Sequence, residues 1–169
     1  LFEEKKRLAI IIVCPYQHLV EQWVEDIELF NMTPTIGYSA SKQKNWKKRL
    51  ENDVLDFSIG IIDTFCFVTT NATYSTKFIS DLMGQLGPDT LLLVDEAHNF
   101  GSPSLKKKLY PNIDYRLALS ATLDRHGDEE GTQALKDYFG KKCIEYDLNR
   151  AIKEKKLTPY YYYPIVVYL

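Results

Sequence analysis

The chain has 169 residues, a formal net charge of −2, and 45% hydrophobic and 26% charged residues. That is enough for one soluble domain with a single sizeable core, and the near-neutral charge excludes a polycationic nucleic-acid coat while leaving a local basic groove open. No apolar stretch approaches the roughly 20 residues of a membrane span, and the charged opening Leu1–Arg7 is not that of a signal peptide, so a cytoplasmic (or nuclear), non-secreted and membrane-free protein is expected.

Leu1–Arg7 reads as the tail of a charged helix and carries no initiator Met, which points to a piece of a longer protein. Ala9–Cys14 is a run of branched apolar residues stopped by Pro15, the signature of a strand buried on both faces. Leu19, Val20, Trp23, Val24, Ile27 and Phe30 then recur at helical spacing among acidic residues. At that spacing Trp23 reads as core rather than as a platform for stacked bases. A short strand is expected near Pro34–Tyr38 and an exposed helix over Ser41–Asn52. Ser58–Asp63 reads as the next strand, followed by Thr64, and a helix is expected from about Thr76 to Gln85, ended by Gly84 or Gly87 with Pro88 as a stop signal.

Leu91–Val94 is another buried strand, and it ends abruptly in Asp95, Glu96, Ala97 and His98. A basic helical segment follows at Ser104–Leu109, and then a strand, Leu117–Leu119, running into Ser120, Ala121 and Thr122. A helix is expected over Glu129–Phe139 with Gly140 as its cap, a short strand at Cys143–Tyr146, and a last helix at Leu148–Lys155. The aromatic tail Tyr160–Tyr168 is β-prone and fits an edge strand or connector better than a nucleic-acid platform. Cys14 and Cys66 lie in apolar runs, and none of the three cysteines has ligand spacing, so reduced, buried thiols are expected.

Strands alternating with helices predict an α/β domain with a central, mainly parallel sheet and helices on both faces. Charges directly after a buried strand stand at its carboxyl end, where open α/β sheets bind ligands. Two adjacent carboxylates there can divide the work. One holds a hydrated magnesium, and the other orients or deprotonates an attacking water. Pro15, Tyr16, Gln17 and His18 open a helix whose free backbone N–H groups suit a phosphate.

Asp95-Glu96-Ala97-His98 followed by Ser120-Ala121-Thr122 resembles the first RecA-like motor domain of the DEAH-type superfamily 2 helicases and translocases. Val13-Cys14-Pro15 with Leu19, Gln22 and Trp23, then Ile62-Asp63-Thr64-Phe65, look like further motifs of that family. The stretch from Tyr138 through Leu157-Thr158-Pro159-Tyr160 is similar to the end of this domain in the XPB-like and type III restriction branch. Leu123 stands where that branch usually has Pro.

The resemblance implies a RecA-like three-layer domain over residues 1–158 and a connector toward a second motor domain at 159–169. It implies ATP and magnesium as cofactors and a nucleic acid, DNA in the first instance, as a sequence-independent partner. Asp95 would bind the magnesium mostly through water, Glu96 would act on the attacking water, and His98 would couple to Ser120, Ala121 and Thr122. Pro15, Tyr16, Gln17, His18 and Thr64 would contact the nucleic acid.

The family's phosphate loop, G-x-x-x-x-G-K-[ST], does not occur in this sequence. The piece alone is therefore expected to be inactive as an ATPase, with weak pairing of two copies through an open sheet edge a further expectation. A non-catalytic RecA-like interaction module and a metal-dependent nuclease with Asp63 as its extra carboxylate are the alternatives.

Overall fold

In the computed structural model residues 2–159 and 163–165 are described. The expected tail at Tyr160–Tyr162 and Val166–Tyr168 lies outside the described residues. In chain order the elements are α1 (Phe2–Lys5), β1 (Leu8–Cys14), α2 (Gln17–Glu28), β2 (Thr35–Gly37), α3 (Trp46–Ser58), β3 (Thr64–Thr70), α4 (Asn71–Tyr74) and α5 (Lys77–Met83). They continue with β4 (Thr90–Asp95), a 3-10 helix (Ala97–Gly101), α6 (Pro103–Lys106), β5 (Tyr115–Leu119), α7 (Glu129–Phe139) and α8 (Leu148–Lys153).

The five strands form one wholly parallel sheet in the order β2-β3-β1-β4-β5. This is the α/β arrangement expected from the sequence. The chain fills one side of β1 first and then crosses to the other, so β1 marks the point where the strand order reverses. Ligand crevices open at the carboxyl ends of strands at such a point.

Alternation along the strands divides the core in two. Ala9, Ile11 and Val13 of β1, with Leu92 and Val94 of β4, face α3, α5 and α7. Ile12 and Cys14, with Leu93, face α2, which contributes Val20 and Ile27. Burial on both faces explains why β1 and β4 read as unbroken apolar runs.

Several sequence expectations are corrected here. Ser58–Asp63 is not a strand: Ser58 ends α3, Gly60 turns the chain at φ 81°, and Ile59 and Ile61 are exposed. The strand is the following run, Thr64–Thr70, denser in β-branched and aromatic residues. The helix expected over Ser41–Asn52 begins only at Trp46 and is not an exposed one. Trp46, Leu50, Val54 and Phe57 pack into the core. Gly37 makes this possible, because a Cβ there would stand 2.8 Å from the Trp46 ring. Cys143–Tyr146 is no strand either, and its side chains are exposed. Four apolar-leaning residues without a sheet neighbour bury too little to hold a strand.

Candidate functional site

Asp95 follows Leu93 by two residues on β4, so its side chain faces α2. There Trp23 Nε1 donates a hydrogen bond of 3.0 Å to Asp95 Oδ2, and the Glu96 backbone N–H donates one of 2.9 Å to Oδ1. Trp23 is thus half-buried against the α2-side core with its polar edge on a carboxylate, a role its helical spacing did not reveal. Each oxygen of Asp95 keeps a lone pair for a further donor. Below it, burial and, to a lesser degree, the Asp95 charge push the Cys14 thiol up to about 12.

Glu96 adopts the left-handed conformation at φ 48°, ψ 50°, uncommon for a residue with a side chain. The turn is held by Asn99, whose backbone N–H and side-chain amide donate to the Glu96 carbonyl at 3.0 and 2.9 Å. The kink ends the strand at once and starts the 3-10 helix that carries His98.

His98 Nδ1 stands 3.2 Å from Ser120 Oγ and 3.3 Å from Glu96 Oε2. Ser120 spends its own proton on the Thr122 carbonyl at 2.6 Å. An ionised carboxylate only accepts, so the hydrogen between His98 and these two partners belongs to Nδ1. That assignment leaves Nε2 as the acceptor nitrogen of the ring. Ala121 continues the loop and lines the adjoining cleft.

Arg125 locks this loop to the acidic turn. Its Nη1 donates to the His98 carbonyl, its Nε to Asp128 Oδ2 at 2.6 Å, and its backbone N–H to Thr132 Oγ1 at 2.9 Å. Asp128 also caps α7 through the Gly131 N–H. That bond first, and Arg125 second, hold its carboxyl below the ordinary carboxylate value. Gly101 and Gly131 have no side chain where a Cβ would run into Arg125 and Asp128. The sequence signals for this clamp were two glycines without a turn role and an Arg five positions after Ser120. The cleft between the two loops encloses about 340 Å³ and is lined by Glu96, His98, Thr122, Asp124, Arg125 and His126.

A second cleft, of about 630 Å³, opens on the same rim. Pro15, Tyr16, Gln17 and His18 line it as expected, together with Ser39, Thr70, Ala72, Thr73 and Thr76. The Tyr16 and His18 rings stack at 5.6 Å. Tyr16 stands at the N-cap of this 12-residue helix without a side-chain hydrogen bond, and among the described residues no side chain accepts from its first N–H groups. Thr64 is not part of this cleft. It begins β3 opposite Leu8, at the amino end of the sheet, whereas Thr70 ends β3 opposite Cys14. The misplaced strand over Ser58–Asp63 carried Thr64 to the wrong rim, and Thr70 is the β3 threonine that lines the cleft. Asp63 is likewise at the far end, where its carbonyl accepts from the Leu8 N–H. Among the described residues no three His, Cys, Asp or Glu side chains gather as a metal cage, and no helix is long and apolar enough to cross a membrane.

Residues 1–125 match the family model described as type III restriction enzyme, res subunit. The fold is similar to that in the crystal structure of the Pyrococcus furiosus Hef helicase domain, with TM-score 0.54 and 18% identity. The match covers 86% of this chain and only 30% of that one. No curated protein matches the chain.

Proposed function

The chain belongs to the family of type III restriction enzyme res subunits, and on that premise we propose that it is part of an ATP-dependent nucleic-acid translocase or helicase of the DEAH type. The observation that carries this reading is the meeting of Asp95, Glu96 and His98 with Ser120 at one strand rim, His98 Nδ1 being 3.2 Å from Ser120 Oγ.

The residues fit a hydrated magnesium on one side of the site. Asp95 accepts one N–H donor on each oxygen, and the lone pair each oxygen keeps would take a water of the ion's shell. Such an ion supplies charge neutralisation beside transferring phosphates. Glu96, turned out of the strand by its left-handed backbone, orients or deprotonates the water that attacks the terminal phosphate. His98 reports on that carboxylate to the Ser120–Thr122 loop through one shared hydrogen, and Arg125 ties both loops to α7.

Gln17 and His18 line the second cleft, where the N–H groups that open α2 take phosphates of a nucleic-acid strand without reading its sequence. Because α2 bears both the mouth of this cleft and Trp23, it joins the strand-binding cleft to Asp95. The phosphate-cradling loop and an arginine of a second motor domain come from outside this sequence. We therefore assign the 169-residue chain itself negligible ATPase. Among the described residues β5 is a half-buried edge strand paired with β4.

The test uses the longer protein that carries the phosphate loop and second domain. Glu96→Gln is expected to abolish nucleic-acid-stimulated ATP hydrolysis while leaving oligonucleotide binding intact. Unchanged turnover in Glu96→Gln, or turnover by the 169-residue chain alone that the substitution removes, overturns the assignment.

A further inference from the structure

The segment from Lys42 to Arg49 carries Lys42, Lys44, Lys47, Lys48 and Arg49 and no acidic residue, in a chain whose net charge is −2. Neither cleft contains any of these cations. The segment leaves the sheet from β2, whose Gly37 stands level with Thr69 of β3, on the same rim as the larger cleft.

Two observations make it a built surface rather than a loose charged loop. First, Gln43 pins it. Its Oε1 accepts from the Ile36 N–H at 3.0 Å and its Nε2 donates to the Pro34 carbonyl at 3.2 Å, so the side-chain amide occupies the ladder position that a next strand would take. With Gln43 turned inward, its neighbours Lys42 and Lys44 stand in solvent. Second, the surface is continuous with the larger cleft. Lys47 Nζ lies 5.7 Å from the Trp46 ring and 5.5 Å from the Phe78 ring, which places the start of α3 against the start of α5. Thr76, two residues before Phe78, and Ser39, three before Lys42, both line the cleft. Lys48 is exposed on the first turn of α3.

We propose that Lys42, Lys44 and Lys48 form a phosphate track that continues the nucleic-acid strand out of the larger cleft, across the loop after β2 and the start of α3. The proposal rests on the strand-binding reading above and extends its footprint. The pinned loop holds the cations in place before the strand arrives, which lowers the ordering cost of binding. The contacts are to the backbone, so they add affinity and salt sensitivity without sequence preference.

The experiment is fluorescence anisotropy with the 169-residue chain and fluorescein-labelled single-stranded oligonucleotides, one long and one short enough to fill only the cleft. Lys42→Ala/Lys44→Ala/Lys48→Ala is the main variant. Lys47 is left intact because it packs on two rings. Three lost phosphate contacts lower the slope of log affinity against log salt by about 2 for a single strand. The long oligonucleotide is expected to bind more weakly by that salt-dependent amount, and the short one unchanged. Gln17→Ala/His18→Ala, in the cleft, is expected to weaken both.

If the lysine variant keeps the parent's salt slope while the cleft variant loses affinity, the track is refuted and the cleft reading stands. If neither oligonucleotide binds the parent chain, both readings fall. Circular dichroism confirms that the three exposed substitutions leave the fold intact.

Discussion

Replacing Trp23 by Phe keeps most of the ring in the α2-side core and removes one donor from Asp95. A hydrogen bond to a charged group contributes about 1.5–3 kcal/mol. Asp95 and Trp23 are both half-buried, so we set the expected loss at roughly 1–2 kcal/mol, straddling the lower limit of that range. For a chain of this size that lowers the melting temperature by roughly 2–8 °C. The loss of packing in the Phe variant is separated by a double-mutant cycle with Asp95→Ala, followed by thermal unfolding in the far ultraviolet. Asp95→Ala also strands the Glu96 N–H, but it does so in both backgrounds and cancels. A coupling energy near 1 kcal/mol is expected. Additivity within about 0.3–0.5 kcal/mol refutes the hydrogen bond and, with it, the role of α2 in holding the carboxylate.

The three cysteines divide by burial. Cys14 and Cys66 are 0% and 3% exposed with thiols pushed up to about 12 by burial, whereas Cys143 is exposed. Titration of the native protein with a disulfide reagent is expected to consume one thiol rapidly and the other two only on unfolding. A second fast thiol contradicts the core as described. Because the Gly131 N–H first and Arg125 second hold Asp128 below its ordinary value of 3.8, the two contacts together stabilise the fold above that pH. That contribution is lost as pH falls through the lowered value. Asp128→Asn is expected to unfold at lower temperature than the parent at neutral pH and at the same temperature in acid. A pH-independent gap refutes the clamp.

The acidic turn Asp95–His98 was legible in the sequence because its ingredients are local. An unbroken apolar run can be satisfied only by burial on both faces, and charges that follow it without a spacer must emerge at the sheet rim. The same logic located Ser120–Thr122 and the start of α2. Ser58–Asp63 failed because isoleucines near a glycine look like a strand until a neighbouring segment competes for the sheet. The longer run Thr64–Thr70 pairs with β1 and β2 at once, leaving Ile59 and Ile61 in solvent. That slip carried Thr64 to the wrong end of the molecule.

Composition and periodicity determined that this chain makes a parallel α/β sheet with two carboxylates at its carboxyl rim. Tertiary structure alone decided that Trp23 of α2 reaches Asp95, that Arg125 bridges two loops across Gly101, and that Gln43 seals the edge of β2. Each of these is a side-chain bond between segments distant along the chain or running off in irregular loops. Periodicity reports which face of an element is buried, but not which atom of a remote segment arrives there.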